Sequence, residues 1–124
     1  MSKVIKMSDL RPETIISDLD GTLIKHKGDI TTQHLGFAEL LPGVREKIIE
    51  WDRKGCKIIL TTGRREGVRK DTEIQLSQAG IIYDQLIMGL GGGIRVLIND
   101  SKPNSNEETA KAITVERNAG LEGI

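Results

Sequence analysis

A chain of 124 residues, 37% of them hydrophobic, is long enough for one modest core and is expected to form a single domain over residues 1–124. Its 18 Lys and Arg balance 18 Asp and Glu, and Phe37, Trp51 and Tyr83 are its only aromatics, a composition that argues against a general nucleic-acid binder or a polybasic membrane-surface protein. The lone cysteine, Cys56, excludes an internal disulfide, no apolar run approaches the ~18 residues of a membrane span, and Met1 to Met7 lack the apolar centre of a signal peptide, so a soluble cytoplasmic protein is expected.

Along the chain, Thr14-Ile15-Ile16-Ser17-Asp18 is a short β-prone run stopped by Asp20-Gly21. A polar stretch follows from Lys25 to Gln33, and Leu23-Ile24 and Ile30-Thr31 flank a Gly28-Asp29 turn signal, which favours a small hairpin. Pro42 suits the first turn of a helix whose Val44, Ile48 and Trp51 share one face and which Gly55 ends. Lys57-Ile58-Ile59-Leu60 reads as a buried strand closing on Thr61-Thr62-Gly63, with Cys56 as a small buried side chain at its start. A second amphipathic helix is predicted from about Arg65 to Ala79, burying Val68, Thr72, Leu76 and Ala79 and stopped by Gly80. Leu86-Ile87-Met88 is a third strand. Gly89 to Gly93 break the chain, Arg95-Val96-Leu97-Ile98 is a fourth strand ending on Asn99-Asp100, and Ala112-Ile113-Thr114-Val115 is a candidate fifth.

Strands alternating with helices imply right-handed βαβ units: an α/β, Rossmann-like three-layer sandwich with a central parallel sheet. Ligands in such sheets bind beyond the carboxyl ends of the strands. At those ends stand Asp18, Thr62 and Asp100. Two carboxylates one residue apart, Asp18 and Asp20, can meet one ligand if the chain turns sharply, and Gly21 permits that turn. Clustered carboxylates repel, so such a site usually holds a cation, and oxygen ligands point to magnesium. The plainer alternative is an Asp-rich turn at a strand end.

Ile15-Ile16-Ser17-Asp18-Leu19-Asp20-Gly21-Thr22-Leu23 resembles the first motif of the haloacid dehalogenase-like (HAD) superfamily, Ile58-Ile59-Leu60-Thr61-Thr62-Gly63-Arg64 its second, and Val96-Leu97-Ile98-Asn99-Asp100 its fourth, in the family's order over residues 14–103. The resemblance implies that Asp18 attacks the phosphorus of a phosphomonoester to give an aspartyl-phosphate, while Asp20 serves as acid and then base. It implies Mg2+ held by the Asp18 carboxylate, the Asp20 main-chain carbonyl and the Asp100 carboxylate. It places Thr62, Gly63 and Arg64 at the substrate phosphate, with the Thr62 hydroxyl as donor. The family's usual lysine is missing, since no lysine lies between Lys70 and Lys102. Lys102 is the best substitute, although lone lysines are commonly plain surface; Arg95 and Arg64 are weaker candidates. Asn99 stands before the acid of the fourth motif, where it would bond a metal-bound water.

Gly91-Gly92-Gly93 lack the Lys-Ser or Lys-Thr of a nucleotide-binding loop and read as a connector. His26 and His34 read as surface residues, and Arg64-Arg65 with Arg69-Lys70 as the wet face of a helix. The Thr22 to Leu41 interval is too short for a cap domain, which leaves an open site. Among HAD proteins the closest analogy is the small capless phosphatases, which act on sugar phosphates and often associate into homo-oligomers. The expected activity is therefore magnesium-dependent hydrolysis of a small phosphorylated sugar or sugar acid, without nucleic-acid or membrane partners. The alternatives are a phosphatase acting on a macromolecule (a nucleic-acid end or a phosphoprotein) and a non-catalytic HAD-fold binding module.

Overall fold

β-Branched Thr14, Ile15 and Ile16 favour extended backbone, and Thr14–Asp18 forms strand β1. In this computed structural model, which describes residues 11–124, helix α1 follows at Val44–Arg53, then strand β2 at Lys57–Thr61. A single 3-10 turn, Glu66–Val68, runs into helix α2 at Arg69–Ala79, and strand β3 is Gln85–Ile87. The signal-peptide reading of Met1 to Met7 lies outside the described residues. The structure divides into two compact units: a larger one, Pro12–Gly91 with Val115–Ile124, which carries all of these elements, and a smaller one that includes Gly92–Thr114.

The larger unit is α/β, a three-stranded parallel sheet in the order β1-β2-β3 with two helices. The register pairs Ile16 with Ile59, Asp18 with Thr61, and Thr61 with Ile87, so the three carboxyl ends lie side by side. Both crossovers step to the next strand in the same direction, and right-handed connections then put α1 and α2 on the same face of the sheet. The side chains agree. Ser17, Ile58, Leu60 and Leu86 are buried on one face, whereas Ile16 is 53% and Ile87 44% exposed on the other. Within this unit the helices cover one face of the sheet.

Helix ends follow their chemistry. Gly43, with φ 78°, is the N-cap of α1, so Pro42 stands one residue outside the helix instead of in its first turn. Gly80, with φ 76°, caps α2, and the Ile81 amide closes the end on the Leu76 carbonyl at 3.0 Å. Core side chains come from both helices, from Leu19, Leu23 and Ile24 after β1, and from Leu121 near the other end of the chain. Cys56 is buried, as its place beside β2 suggests.

Three expectations need correction. Residues 95–98 form no strand: Ile94, Val96 and Ile98 stand exposed. Only residues 88–94 separate β3 from that run, and a parallel crossover needs about a dozen residues or more, usually as a helix. Residues 112–115 form no strand either. The hairpin between Leu23-Ile24 and Ile30-Thr31 is also absent. Ile24 instead bridges Leu40 in antiparallel fashion, because the Asp29 carboxylate folds its own turn by accepting from the Thr31 amide and hydroxyl (2.9 and 2.6 Å).

The one-sided core makes a direct comparison. Leu60→Ala, at a fully buried position, should cost about 2–5 kcal/mol in urea denaturation, and Ile16→Ala on the bare face under about 1 kcal/mol.

Candidate functional site

Asp18 ends β1, and the chain turns at once. The Leu23 amide donates to the Leu19 carbonyl at 2.9 Å, and the Gly21 amide to the Ile24 carbonyl at 2.7 Å. Leu19 is fully buried between the two acids, so its side chain anchors the turn while Asp18 stays exposed. Gly21 is required here for two reasons: its φ is +88°, and a Cβ would lie 3.2 Å from Cγ of Arg117, whose stem packs over the turn. The Thr22 hydroxyl donates to Oδ2 of Asp18 at 3.1 Å and orients it.

Asp20 is held far more tightly. Its carboxylate accepts from Nε and Nη2 of Arg64 (2.9 and 2.8 Å), from Nε2 of Gln33 (2.9 Å) and from the Thr62 hydroxyl (3.4 Å). The pair is buried, with side-chain exposures of 6% for Arg64 and 15% for Asp20. Arg64 spends its other N–H groups on Thr72 Oγ1 (3.0 Å), Gln75 Oε1 (2.7 Å) and the Gln33 carbonyl (3.4 Å), so all five donors of the guanidinium are engaged. Gln75 then donates to the carbonyls of Gln33, Leu35 and Gly36. No buried side-chain polar atom among the described residues lacks a partner.

The loops that carry these residues are themselves tied. The Thr62 amide donates to Ile87 and the Leu90 amide to Thr62, while the Gly89 amide meets the Arg64 carbonyl at 2.7 Å. The exits of β2 and β3 are thereby laced together, which fixes the stem of Arg64. Across the turn, the side-chain amide of Asn118 pairs with the His26 main chain on both sides (2.7 and 3.1 Å).

The structure therefore brings Asp18, Asp20, Thr62, Gly63 and Arg64 to one place at the carboxyl ends of β1 and β2. Asp100 and Lys102 belong to the smaller unit, where they pair with each other at 2.8 Å and the Lys102 ammonium holds the Asp100 carboxyl below the usual carboxylate range. Asn99 donates to the Thr109 carbonyl there (2.9 Å). Arg64 is no part of a wet helix face, and Arg69 is engaged by Glu66 (2.7 Å) and the Leu86 carbonyl (2.9 Å). Thr62 donates to Asp20, so its hydroxyl hydrogen is not aimed at an open phosphate position in this arrangement.

Among the described residues no three His, Cys, Asp or Glu side chains gather as a metal cluster. The donor chemistry at the end of β1 is all oxygen, with an exposed carboxylate on Asp18, which suits a hard cation such as magnesium better than a soft one. Gln33 and Gln75 were not foreseen. Gln75 does carry a signal in its spacing, since it follows Thr72 by three residues and so shares the inward face of α2.

No protein-family model matches the chain, nor does any curated protein. Solved structures do, among them the following two. One, of a Pnkp1/Rnl/Hen1 complex, has a chain with 31% identity and a TM-score of 0.55, matched over 68% of this chain and 30% of its own length. The other, of the Pnkp1/Rnl/Hen1 RNA repair complex, gives 29% identity and a TM-score of 0.55 over 77% of this chain and 30% of its own. This chain thus spans about a third of the length of the chains it resembles. The expectation that nucleic acid has no part here does not stand against two likenesses to chains of an RNA repair assembly. Balanced net charge and few aromatics are sums over the whole chain, and they say nothing of how a single site is furnished.

The Asp20–Arg64 pair is open to a double-mutant test by urea denaturation. Arg64→Ala should cost about 3–5 kcal/mol, because it strands a buried carboxylate. Adding Asp20→Asn should recover part of that loss, with a coupling of about 1–3 kcal/mol between the two positions.

Proposed function

We propose that the chain is a HAD-type, magnesium-dependent phosphatase that removes a phosphate from an RNA end. One observation carries the reading: Asp18 and Asp20 leave β1 beside Thr62 and Arg64 from β2, so a nucleophile, an acid–base group and two phosphate-binding groups share the carboxyl edge of a parallel sheet. The likeness to RNA repair chains supports a nucleic-acid end over a free sugar phosphate as substrate.

In this reading the exposed Asp18 carboxylate, steadied by Thr22, attacks phosphorus in line, and the P–O bond to the terminal ribose breaks. Asp20 delivers a proton to the departing ribose oxygen. Water then attacks the aspartyl-phosphate, Asp20 accepts its proton, and phosphate and Asp18 are released. Arg64 starts on Asp20. A phosphate dianion at Asp18 competes for the guanidinium, and each N–H that shifts to the phosphate frees an Asp20 oxygen to carry a proton. Thr62 turns its hydroxyl from Asp20 to the phosphate in the same exchange. Magnesium, held by the Asp18 carboxylate with the Asp20 main-chain carbonyl as a further ligand, would draw charge from the transferring group.

The test is phosphate release from 3′- and 5′-phosphorylated oligoribonucleotides, sugar phosphates and p-nitrophenyl phosphate, with magnesium or with chelator. Turnover should require magnesium, favour an RNA end, and fall by at least about a thousandfold in Asp18→Asn. Magnesium-independent turnover, or turnover unchanged by Asp18→Asn, would overturn the mechanism. No turnover on any substrate by the folded protein would leave the site a non-catalytic phosphate binder.

A further inference from the structure

Phe37 is 76% exposed, while the other two aromatics, Trp51 and Tyr83, pack against the core. It lies in the loop after β1, beside a groove of about 230 Å3 between residues 34–37 and one face of α2 that presents Asp71, Ile74, Gln75 and Gln78. An exposed aromatic on a mobile loop would mean little. This loop is built. Gln75 binds the carbonyls of Gln33, Leu35 and Gly36, and the Lys27 ammonium binds those of Leu35 and Phe37 at 3.2 and 3.3 Å. Gln75 from α2 and Lys27 from the start of the loop thus engage the carbonyls of residues 33 and 35–37 and present Phe37 outward.

The groove is linked to Asp20 through two buried side chains. Gln75, a groove residue, accepts from Arg64 at 2.7 Å, and the same guanidinium donates to Asp20 at 2.8 Å. One guanidinium therefore separates the groove from Asp20. Its charge selects the occupant. Asp71, half exposed on the groove wall with Oδ2 3.8 Å from Nε2 of His34, repels a phosphate and, with Gln78, can accept from the amino or imino groups of a base edge. Ile74 and Phe37 supply apolar surface, and Lys27 supplies a cation on the loop for a neighbouring phosphate.

We infer that the groove beside Phe37 is a nucleobase subsite, in which the terminal base of the RNA stacks on Phe37 while its phosphate lies at Asp18. The inference rests on the reading of the chain as a phosphatase of RNA ends. It adds the residue that would distinguish a nucleotide from a bare phosphate ester, since base–aromatic stacking is effective with every base.

Three substrates test it: an end-phosphorylated hexaribonucleotide (3′ or 5′, whichever the wild type hydrolyses faster), the same hexamer with an abasic terminal nucleotide, and ring-free acetyl phosphate. Phe37→Ala should lower kcat/KM on the intact hexamer about tenfold, mainly through KM. Phe37→Trp should restore it. Wild type and Phe37→Ala should act alike on the abasic hexamer and on acetyl phosphate, which also shows that the variant is folded. Equal hydrolysis of the intact hexamer by wild type and Phe37→Ala overturns the subsite and reassigns the groove to an apolar segment of a protein partner. A wild type that prefers acetyl phosphate to every RNA end overturns the subsite in a different way, by removing the substrate on which it rests.

Discussion

The bidentate pair between Arg64 and Asp20 is the interaction on which the rest of the larger unit depends. A buried guanidinium has five N–H groups to satisfy, in a fixed planar fork. Meeting them recruits the turn after β1, the loop at Gln33, and Thr72 and Gln75 on α2. A buried ion pair of this kind is weak evidence for stability, because desolvation offsets much of the attraction. Its value is geometric. The path of the loop from Lys25 to Leu40, which has no regular structure, is set by where those donors and acceptors must sit.

The same pair explains a division between the two acids. Asp18 is exposed at the strand end, where the Thr22 hydroxyl donates to it, as would suit the nucleophile of the proposed reaction. Asp20 is a buried carboxylate whose oxygens face donors from three residues, so it is an acceptor and nothing else until one of those donors leaves. An acid–base role for Asp20 therefore requires a change in Arg64 or Thr62, and both are groups that an anionic substrate would attract. In the proposed mechanism, substrate binding and activation of Asp20 would be one event.

Much of this was legible in the sequence, and the reasons are specific. β1, β2, β3 and both helices carry periodic apolar positions and glycine stops, and these local signals survive into the structure. The clustering of Asp18, Asp20, Thr62 and Arg64 follows from strand ends meeting in a parallel sheet. Residues 95–98 show where periodicity misleads. They have the apolar run of a buried strand, but the chain before them is too short for a crossover helix, and connection length outweighs composition. Gln33 and Gln75 were hidden for a different reason. Glutamine is mostly a surface residue, and only the presence of a buried guanidinium makes it a core one.

The misjudged partner has the same root. A net charge of zero and three aromatics describe an average, yet recognition is settled by the few groups that surround one phosphate. In this protein Arg64 is buried and paired with Asp20, so it adds little to the outward field, and in the proposed mechanism it meets an anion only when one competes for it. Two of the three aromatics pack against the core, and the third stands on a braced loop beside a groove that touches the site through Gln75 and Arg64. Composition undercounts such a site because its charge is paired internally until a ligand competes for it. A sum over the chain counts Arg64 and Asp20 as cancelling, although the pair stands, fully bonded, at the carboxyl edge of the sheet.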